Sequence, residues 1–232
     1  MHSVRYFGGG KMLRILIADD HEVARRGIRS LLESHPGWEV CAEAKDGRDA
    51  VELATSTKPD LVLLDIGMPN LNGLEAARQI LATSPNAAIL ILTMHDSDNV
   101  IREVLRAGAR GFLLKSDAGR DLVAAVEALE SQKTFFTPRV SQMVLDGFLN
   151  REKKRSEIED VANSSGDLLT AREREVIQLL AEGRTSKEVA VTLNLNVKTA
   201  ETHRTNLMRK LGLHSVADLT RYAVRNGIVH VF

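Results

Sequence analysis

A run of four apolar residues that ends in an aspartate constrains the fold of this chain most strongly. Leu61 to Leu64 lead directly into Asp65, and Pro59 before the run and Gly67 and Pro69 after it limit its length. A short apolar run with these boundaries predicts a strand that is buried on both faces, as parallel sheets require. Asp65 would then lie at the carboxyl end of the strand, which is the edge where open parallel sheets bind ligands.

Similar patterns extend this strand into a sheet. Between residues 13 and 130, short apolar runs alternate with stretches whose apolar side chains recur at i and i+4, the spacing of a helix with one buried face. Five βα units joined by right-handed crossovers predict a doubly wound, five-stranded parallel sheet of the flavodoxin-like order 2-1-3-4-5. The predicted strands cover residues 13–18, 38–42, 61–65, 88–92 and 111–114.

The C-terminal part of the chain contains helical patterns only. Gly183 and Gly212 are stop signals, and Thr185 with Glu188 matches a capping box. The short turn at residues 194–196 joins two helices in the layout of a helix-turn-helix. The four predicted helices cover residues 171–181, 186–193, 197–211 and 216–226.

The segments outside these two patterns are predicted to be less regular. A glycine-rich leader precedes Met12, and whether the native start is Met1 or Met12 stays open. Pro138 can begin a short helix that runs to Leu149, but the mixed-charge run after it cannot bury enough surface to form a core. The predicted division is a leader at 1–11, an α/β domain at 12–131, a partly helical linker at 132–167 and an all-α domain at 168–232.

Composition and charge narrow the class of protein. The formal net charge is zero, but residues 168–232 carry more lysine and arginine than aspartate and glutamate, which is expected where one end of a chain binds a polyanion. The single cysteine, Cys41, excludes an intramolecular disulfide. No apolar run approaches the roughly 20 residues of a membrane span, and no signal peptide is evident. We therefore expect a cytoplasmic protein without a membrane partner.

Charged and polar side chains follow four of the predicted strands. Asp19 and Asp20 follow the first strand, Asp65 the third, Thr93 the fourth and Lys115 the fifth. In the order 2-1-3-4-5 these strands are neighbours, so the side chains share one crevice. Crowded carboxylates favour a bound cation, and Mg²⁺ suits oxygen ligands while leaving room for phosphate. A carboxylate beside Mg²⁺ and a lysine can attack a phosphoryl group, which predicts an acyl phosphate on Asp65.

These residues resemble the signature of the receiver domain of two-component response regulators, over about residues 12–131. The resemblance includes Met68-Pro69 and the segment from Gly111 to Lys115. It implies that Asp65 accepts a phosphoryl group from a histidine kinase. It also implies that Asp19, Asp20, Asp65 and the backbone carbonyl of Gly67 hold Mg²⁺, that Lys115 contacts the phosphoryl group, and that Thr93 and Phe112 form a switch pair.

The chain departs from the receiver pattern at two positions. Ser116 follows Lys115 where many receivers have proline, and Gly67 offers no side chain over the phosphoryl site. We hypothesise that Gly67 alters the lifetime of the acyl phosphate, which a Gly67→Asn variant would test. Taken one at a time, the motif residues have other interpretations: Asp19 and Asp20 as helix caps, Lys115 as a surface ion-pair partner and Phe112 as ordinary core.

The predicted helix at residues 197–211 has one apolar and one polar face. Ala200, Leu207 and Leu211 lie on the face that would pack on the other helices. The opposite face carries short hydrogen-bonding side chains between cations, which suits a DNA major groove. The pattern alone fits a solvated face about equally well, and the helix-turn-helix layout favours the groove. The residues of that face are Lys198, Thr202, Thr205 and Arg209, with Glu201 beside them.

Residues 168–230 closely resemble a LuxR-type DNA-binding domain. The resemblance rests on Leu169-Thr170, the segment from Gly183 to Ala190 and the pattern from Lys198 to Leu211. It implies that Glu201, Thr202 and Thr205 read bases, and that Lys198, Arg204, Arg209 and Lys210 contact the DNA backbone. The last helix would help to pair two such domains, although its apolar residues can equally complete the helical core.

Together these features predict a NarL/FixJ-type response regulator, a phosphorylation-controlled transcription factor. The implied partners are a histidine kinase, double-stranded promoter DNA and a second copy of the chain, at least when phosphorylated or bound to DNA. Apart from its own phosphorylation and hydrolysis, we expect no enzymatic activity. Two alternatives are a dehalogenase-like phosphotransferase, whose Asp-x-Asp motif the glycine at position 67 breaks, and an adaptor whose helical tail binds protein.

Overall fold

The computed structural model describes residues 12–94, 97–138, 140–142 and 169–229. The predicted leader, most of the predicted helix from Pro138 to Leu149 and the mixed-charge run lie outside the described residues. The described residues form an α/β unit followed by an all-helical unit. In this part of the chain, none of the helices has the length and apolar content that a membrane span needs.

Five parallel strands form one sheet, and its order confirms the prediction. The strands are β1 (Leu13–Ala18), β2 (Trp38–Ala44), β3 (Leu61–Asp65), β4 (Ala88–Thr93) and β5 (Gly111–Leu114). Their order is β2-β1-β3-β4-β5, so β3 is central. All five residues of β3 are buried, which explains why its sequence is an uninterrupted apolar run.

The sheet separates two apolar cores, each covered by helices. The helices are α1 (Glu22–Glu33), α2 (Gly47–Thr57), α3 (Gly73–Thr83), α4 (Asp98–Arg106) and α5 (Ala118–Glu130). Leu16 and Leu64 face the core under α2, α3 and α4. Ile17 and Leu63 face the core under α1 and α5. The alternation along each strand therefore supplies both cores.

Tight packing fixes the start of α3 against the end of β3. Asn72 is the N-cap of α3, and its side chain accepts a hydrogen bond from the Glu75 backbone N–H at 2.9 Å. A Cβ atom on Gly73 would lie 2.1 Å from the backbone oxygen of Asp65. Only glycine permits this close approach, so the sequence at position 73 helps to place the strand end that carries Asp65.

The helical unit has the predicted number and order of helices in its described residues. They are α6 (Ala171–Ala181), α7 (Ser186–Thr192), α8 (Val197–Lys210) and α9 (Val216–Arg225). The capping box of Thr185 and Glu188 is confirmed at the start of α7. A second capping box, formed by Thr170 and Glu173 at the start of α6, was not predicted. The helices enclose a single core that includes Leu207.

Two details of the α/β unit differ from the prediction. β2 continues to Ala44, two residues beyond the predicted end, because Ala44 still pairs with Ala18 of β1. The chain after α5 also returns to the sheet, where the Phe112 backbone N–H donates to the Phe135 oxygen at 2.9 Å. The segment assigned to the linker thus begins by pairing with β5 rather than leaving the unit directly.

Candidate functional site

Two carboxylates and a lysine meet at the carboxyl edge of the sheet. Lys115 Nζ lies 2.8 Å from Oδ2 of Asp65 and 2.9 Å from Oδ2 of Asp19. Each of these residues ends or follows a different strand, as predicted from the sequence. Asp19 is fully buried and Asp65 is 4% exposed, so their charges are held largely out of water. Charges in such a buried site interact more strongly than the same charges would at the protein surface.

Burial and charge act in opposite directions on this pair. Burial raises the pKa of Asp65 above its ordinary value, and the Lys115 ammonium offsets part of this shift. For Lys115, burial is the largest effect and lowers the pKa, but the Asp65 and Asp19 carboxylates together raise it above its ordinary value. The Lys115 ammonium and the Asp65 carboxylate therefore each favour the charged form of the other, against the effect of burial.

The ligand set at this edge fits a hard divalent cation. Side-chain atoms of Asp19, Asp20, His21 and Asp65 all lie within 4.8 Å of one another. Oδ2 of Asp19 and Oδ1 of Asp20 are buried without a hydrogen bond of ordinary geometry, although Lys115 and His21 lie nearby. Carboxylate oxygens in this state are ligands that Mg²⁺ accepts together with water. The arrangement of these residues therefore suits the metal that the sequence implied.

The sequence predicts His21 to be a solvated loop residue near the mouth of the site, and its side chain is 56% exposed but also lies at the rim of this cluster. Its Nδ1 atom lies 2.8 Å from Oδ1 of Asp20, and its backbone N–H donates to Oδ1 of Asp19 at 2.9 Å. The capping interpretation of Asp19 is therefore correct for one oxygen, while its other oxygen faces Lys115.

The other predicted receiver residues lie around the same edge. Thr93 ends β4 and is 1% exposed, and Phe112 in β5 is fully buried. A backbone hydrogen bond from Gly67 lowers the pKa of Asp65, which places the loop after β3 against the acceptor carboxylate. The structure thus brings Asp19, Asp65 and Lys115 together at this edge, with Thr93 at the end of β4 and Phe112 inside β5. The switch role of Thr93 and Phe112 stays a prediction.

The predicted base-reading residues form an open face of α8. Glu201, Thr202 and Thr205 are exposed, as are Lys198 and Arg209. Thr202 donates from its hydroxyl to the Lys198 backbone oxygen at 2.8 Å. Ala200 and Leu207, on the opposite face, are buried in the helical core. The amphipathic interpretation of this helix is therefore confirmed.

Two of the predicted phosphate-contacting cations are less free than their neighbours on α8. Arg204 is half-buried. Lys210 Nζ contacts both carboxylate oxygens of Glu173, at 3.1 and 2.8 Å. Contact with DNA would require Lys210 to exchange this ion pair for a phosphate.

The helical unit docks on the α/β unit through α6, and sequence reasoning missed this contact. Ion pairs join Arg48 to Glu175 at 3.0 Å and Arg174 to Glu75 at 2.8 Å. Gln178 is buried and contacts the loop that follows β3. The exposed face of α8 is turned away from this contact, because its base-reading residues remain accessible in the docked arrangement. A buried glutamine on α6 has no sequence signal, since its burial depends on the partner unit.

Comparisons with known proteins agree with both halves of the chain. Residues 15–127 match the family described as response regulator receiver domain, and residues 167–223 match bacterial regulatory proteins of the luxR family. The transcriptional regulatory protein DegU of Brevibacillus brevis is 32% identical over 231 residues, covering 94% of this chain and 96% of DegU.

Solved structures of the response regulator RcsB show the same architecture. RcsB of Salmonella typhimurium is 26% identical with a TM-score of 0.61, covering 94% of this chain and 99% of that one. An RcsB–DNA complex is 28% identical with a TM-score of 0.54, covering 92% of this chain and 98% of that one. The fold and the acidic edge define a receiver joined to a helix-turn-helix unit. The chain belongs to the NarL/FixJ type of two-component response regulators, a family of regulators rather than enzymes.

Proposed function

We propose that this chain regulates transcription by binding promoter DNA, and that phosphorylation of Asp65 controls this binding. The proposal is carried by one observation: a nearly buried carboxylate lies 2.8 Å from a lysine ammonium, within a cluster of further acidic oxygens. The family membership supports the assignment, since the related DegU is named a transcriptional regulatory protein. The cytoplasmic location expected from the sequence stays a prediction.

The chemistry at Asp65 would be transfer of a phosphoryl group from a phosphohistidine of a kinase. A carboxylate oxygen of Asp65 forms the new bond to phosphorus, while the phosphorus–nitrogen bond breaks and its electron pair stays on the histidine. Lys115 offsets charge on the transferred group, since its ammonium already lies between Asp65 and Asp19.

Asp19, Asp20, Asp65 and the Gly67 carbonyl are the residues that would hold Mg²⁺. When bound, Mg²⁺ would neutralise the crowded acids and the phosphoryl oxygens. The three carboxylates, whose ligand oxygens lie within 4.8 Å of one another, support this assignment. The Gly67 backbone N–H donates a hydrogen bond to Asp65, so the loop that carries the Gly67 carbonyl borders the acceptor carboxylate.

Thr93 and Phe112 would report the phosphorylated state to the rest of the receiver. The Thr93 hydroxyl would turn toward the phosphoryl group, and the Phe112 ring would change rotamer. Both residues are buried, Thr93 at the end of β4 and Phe112 in the neighbouring strand β5, so a movement of either one would repack the surface formed by β4 and β5. The change is a shift between two conformations of the receiver, which requires that the phosphoryl group interact more favourably with one conformation than with the other.

The DNA-binding part of the proposal concerns α8. Glu201, Thr202 and Thr205 would read bases, because they are exposed on the face opposite the helical core. The backbone contacts would come from Lys198, Arg204, Arg209 and Lys210. We assign the receiver to residues 12–131 and the DNA-binding domain to 168–232, with a linker between them. The solved complex of the related RcsB with DNA supports DNA as the partner.

A second copy of the chain is the remaining partner in this proposal. Two helix-turn-helix units placed on an inverted repeat double the number of base contacts, and their spacing on the duplex is set by the dimer. The outer face of α9 carries Val216 and Val224, which are 46% and 37% exposed and offer apolar surface for pairing. Ultracentrifugation of the chain with and without a phosphate mimic tests this part of the proposal.

Labelling with a small phosphodonor tests the chemical part. The full chain is incubated with Mg²⁺ and ³²P-labelled acetyl phosphate, and the label is located by peptide mapping. We expect an acid-stable, hydroxylamine-labile label on residue 65 that is absent from Asp65→Asn. An unlabelled wild-type chain, or equal labelling of the variant, would exclude Asp65 as the acceptor.

A further inference from the structure

The loop between β3 and α3 leads from the acceptor carboxylate to the next helix. It contains Gly67, whose backbone hydrogen-bonds to Asp65, and Asn72, the N-cap of α3. Between them, Asn70 has a φ of 64°, a left-handed conformation that asparagine tolerates better than most residues. An irregular loop of this kind keeps one conformation only if other groups bind its backbone.

One side chain of the helical unit binds this loop at two points. The Gln178 amide oxygen accepts a hydrogen bond from the Asn72 N–H at 2.8 Å, and its nitrogen donates to the Met68 oxygen at 3.1 Å. The same nitrogen donates to Oε1 of Glu182 at 2.8 Å. Gln178 is only 2% exposed. Its oxygen and both of its donor hydrogens are therefore used inside the protein, and two loop residues are held at a fixed spacing.

The acidic site and this glutamine border the same space. A cavity of about 210 Å³ between the two units is lined by Asp20 and Gly67 on one side and by Gln178 and Glu182 on the other. The Asn72 side chain also donates to the backbone oxygen of Ile228, which follows α9, at 3.0 Å. The helical unit therefore forms one wall of a cavity that borders Asp20 and Gly67, two of the residues that would hold Mg²⁺.

The ion pairs between the two units do not involve the loop. Arg48 of α2 and Glu75 of α3 pair with Glu175 and Arg174 of α6. These contacts hold the units together through helices, whereas Gln178 binds loop backbone. Docking of the units and support of the loop can therefore be separated by substitution.

We infer that Gln178 is a positioning residue of the phosphoacceptor site, because it holds the β3–α3 loop with Gly67 beside Asp65. This inference rests on the proposed function and extends it, since a residue of the DNA-binding part then helps to build the receiver site. Groups that orient the metal ligands without binding the metal themselves contribute to metal affinity. Release of the loop therefore weakens Mg²⁺ binding. By linkage, Mg²⁺ strengthens the contact between the helical unit and the loop by the same factor.

The test measures Mg²⁺ affinity of the full chain by calorimetry, without a phosphodonor. Gln178→Ala removes the support, and Gln178→Glu keeps the volume and the acceptor for Asn72 but cannot donate to Met68. We expect both variants to raise the Mg²⁺ dissociation constant about tenfold, the lower end of the effect of outer ligand-orienting groups. Arg48→Ala, which removes an ion pair between the units without touching the loop, is the matched control and is expected to stay within about twofold.

Hydrogen exchange in the metal-free chain provides a second readout. The amides of Gly67, Met68 and residues 70–72 are expected to exchange faster in both Gln178 variants but not in Arg48→Ala. Protection of the Leu207 amide, in the core of the helical unit, shows that this unit stays folded. An unchanged or tighter Mg²⁺ affinity in the Gln178 variants would overturn the inference. So would equal weakening by Arg48→Ala, or restoration of wild-type affinity by glutamate. Labelling of wild-type Asp65 is scored separately, so a failure of the proposed function is distinguished from a failure of this inference.

Discussion

Lys210 at the end of α8 is paired with Glu173 in the first turn of α6, with 2.8 Å between Nζ and Oε2. Burial alone would raise the pKa of Glu173, but hydrogen bonds from Lys210 and Thr170 outweigh it and lower this pKa below its ordinary value. Glu173 therefore has two roles, because the same carboxylate completes a capping box with Thr170. A cation of the predicted DNA-binding surface is thus held by a carboxylate of its own domain.

Neutralising Glu173 is expected to release Lys210 for phosphate contact. Glu173→Gln keeps an acceptor for the Thr170 backbone N–H but removes the charge, so the slope of log affinity against log salt becomes steeper by about 0.9, the value of one additional phosphate contact. Fluorescence anisotropy with a non-specific duplex at several salt concentrations measures this slope. Glu188→Gln is the matched control, since Glu188 completes the capping box of α7. Equal slopes for both variants and wild type would show that Lys210 does not gain a phosphate.

Arg209 and Thr202 are expected to affect DNA binding in different ways. Arg209→Ala removes an exposed cation and should weaken binding to all duplexes similarly, with a salt slope smaller by about 0.9. Thr202→Ala removes a hydroxyl from the exposed face and should change sequence preference at one position, by about 1–3 kcal/mol. Titrations at several salt concentrations measure the slope for Arg209→Ala, and selection from a random duplex pool measures the sequence preference of Thr202→Ala. Unchanged binding by both variants would exclude α8 as the reading helix.

Replacing Gly73 is expected to destabilise the receiver. A Cβ atom at this position would lie 2.1 Å from the Asp65 oxygen, so Gly73→Ala must displace backbone and should lower the free energy of unfolding by about 1–3 kcal/mol. Gly27→Ala is the control, because a Cβ there meets no atom within 4 Å and alanine favours the helix by about 0.5–1 kcal/mol. Urea unfolding distinguishes the two; equal stability of both variants would contradict the tight packing at Gly73.

Mg²⁺ affinity is expected to depend on pH through Asp65. Burial raises the pKa of Asp65, and a protonated carboxyl competes with the metal, so affinity rises with pH until Asp65 is ionised. Lys115 lowers this pKa, and in Lys115→Met the rise should therefore shift to higher pH. Calorimetric titrations at several pH values measure the midpoint. A midpoint that is unchanged, or that shifts to lower pH, would show that Lys115 does not control ionisation of Asp65.

The acidic site was predictable because its residues occupy strand ends. Parallel strands bring their carboxyl ends to one edge, so the positions of Asp19, Asp65 and Lys115 along the chain were enough to place them together. The return of Phe135 to β5 was not predictable, since a single backbone pairing leaves no periodic pattern. Gln178 was also not predictable, because a polar residue on a helix is ordinarily exposed, and its burial here depends on how two units meet.

We expect a phosphoryl group on Asp65 to change DNA binding, and this is measured by titrating one duplex with the chain in two states. A duplex selected from a random pool is titrated with the full chain before and after treatment with Mg²⁺ and acetyl phosphate. We predict that treatment raises the affinity of the wild-type chain about tenfold, within the usual range of coupling between two sites, and leaves Asp65→Asn unchanged. An unchanged affinity of wild-type chain that carries the label, or an equal increase in Asp65→Asn, would contradict the account.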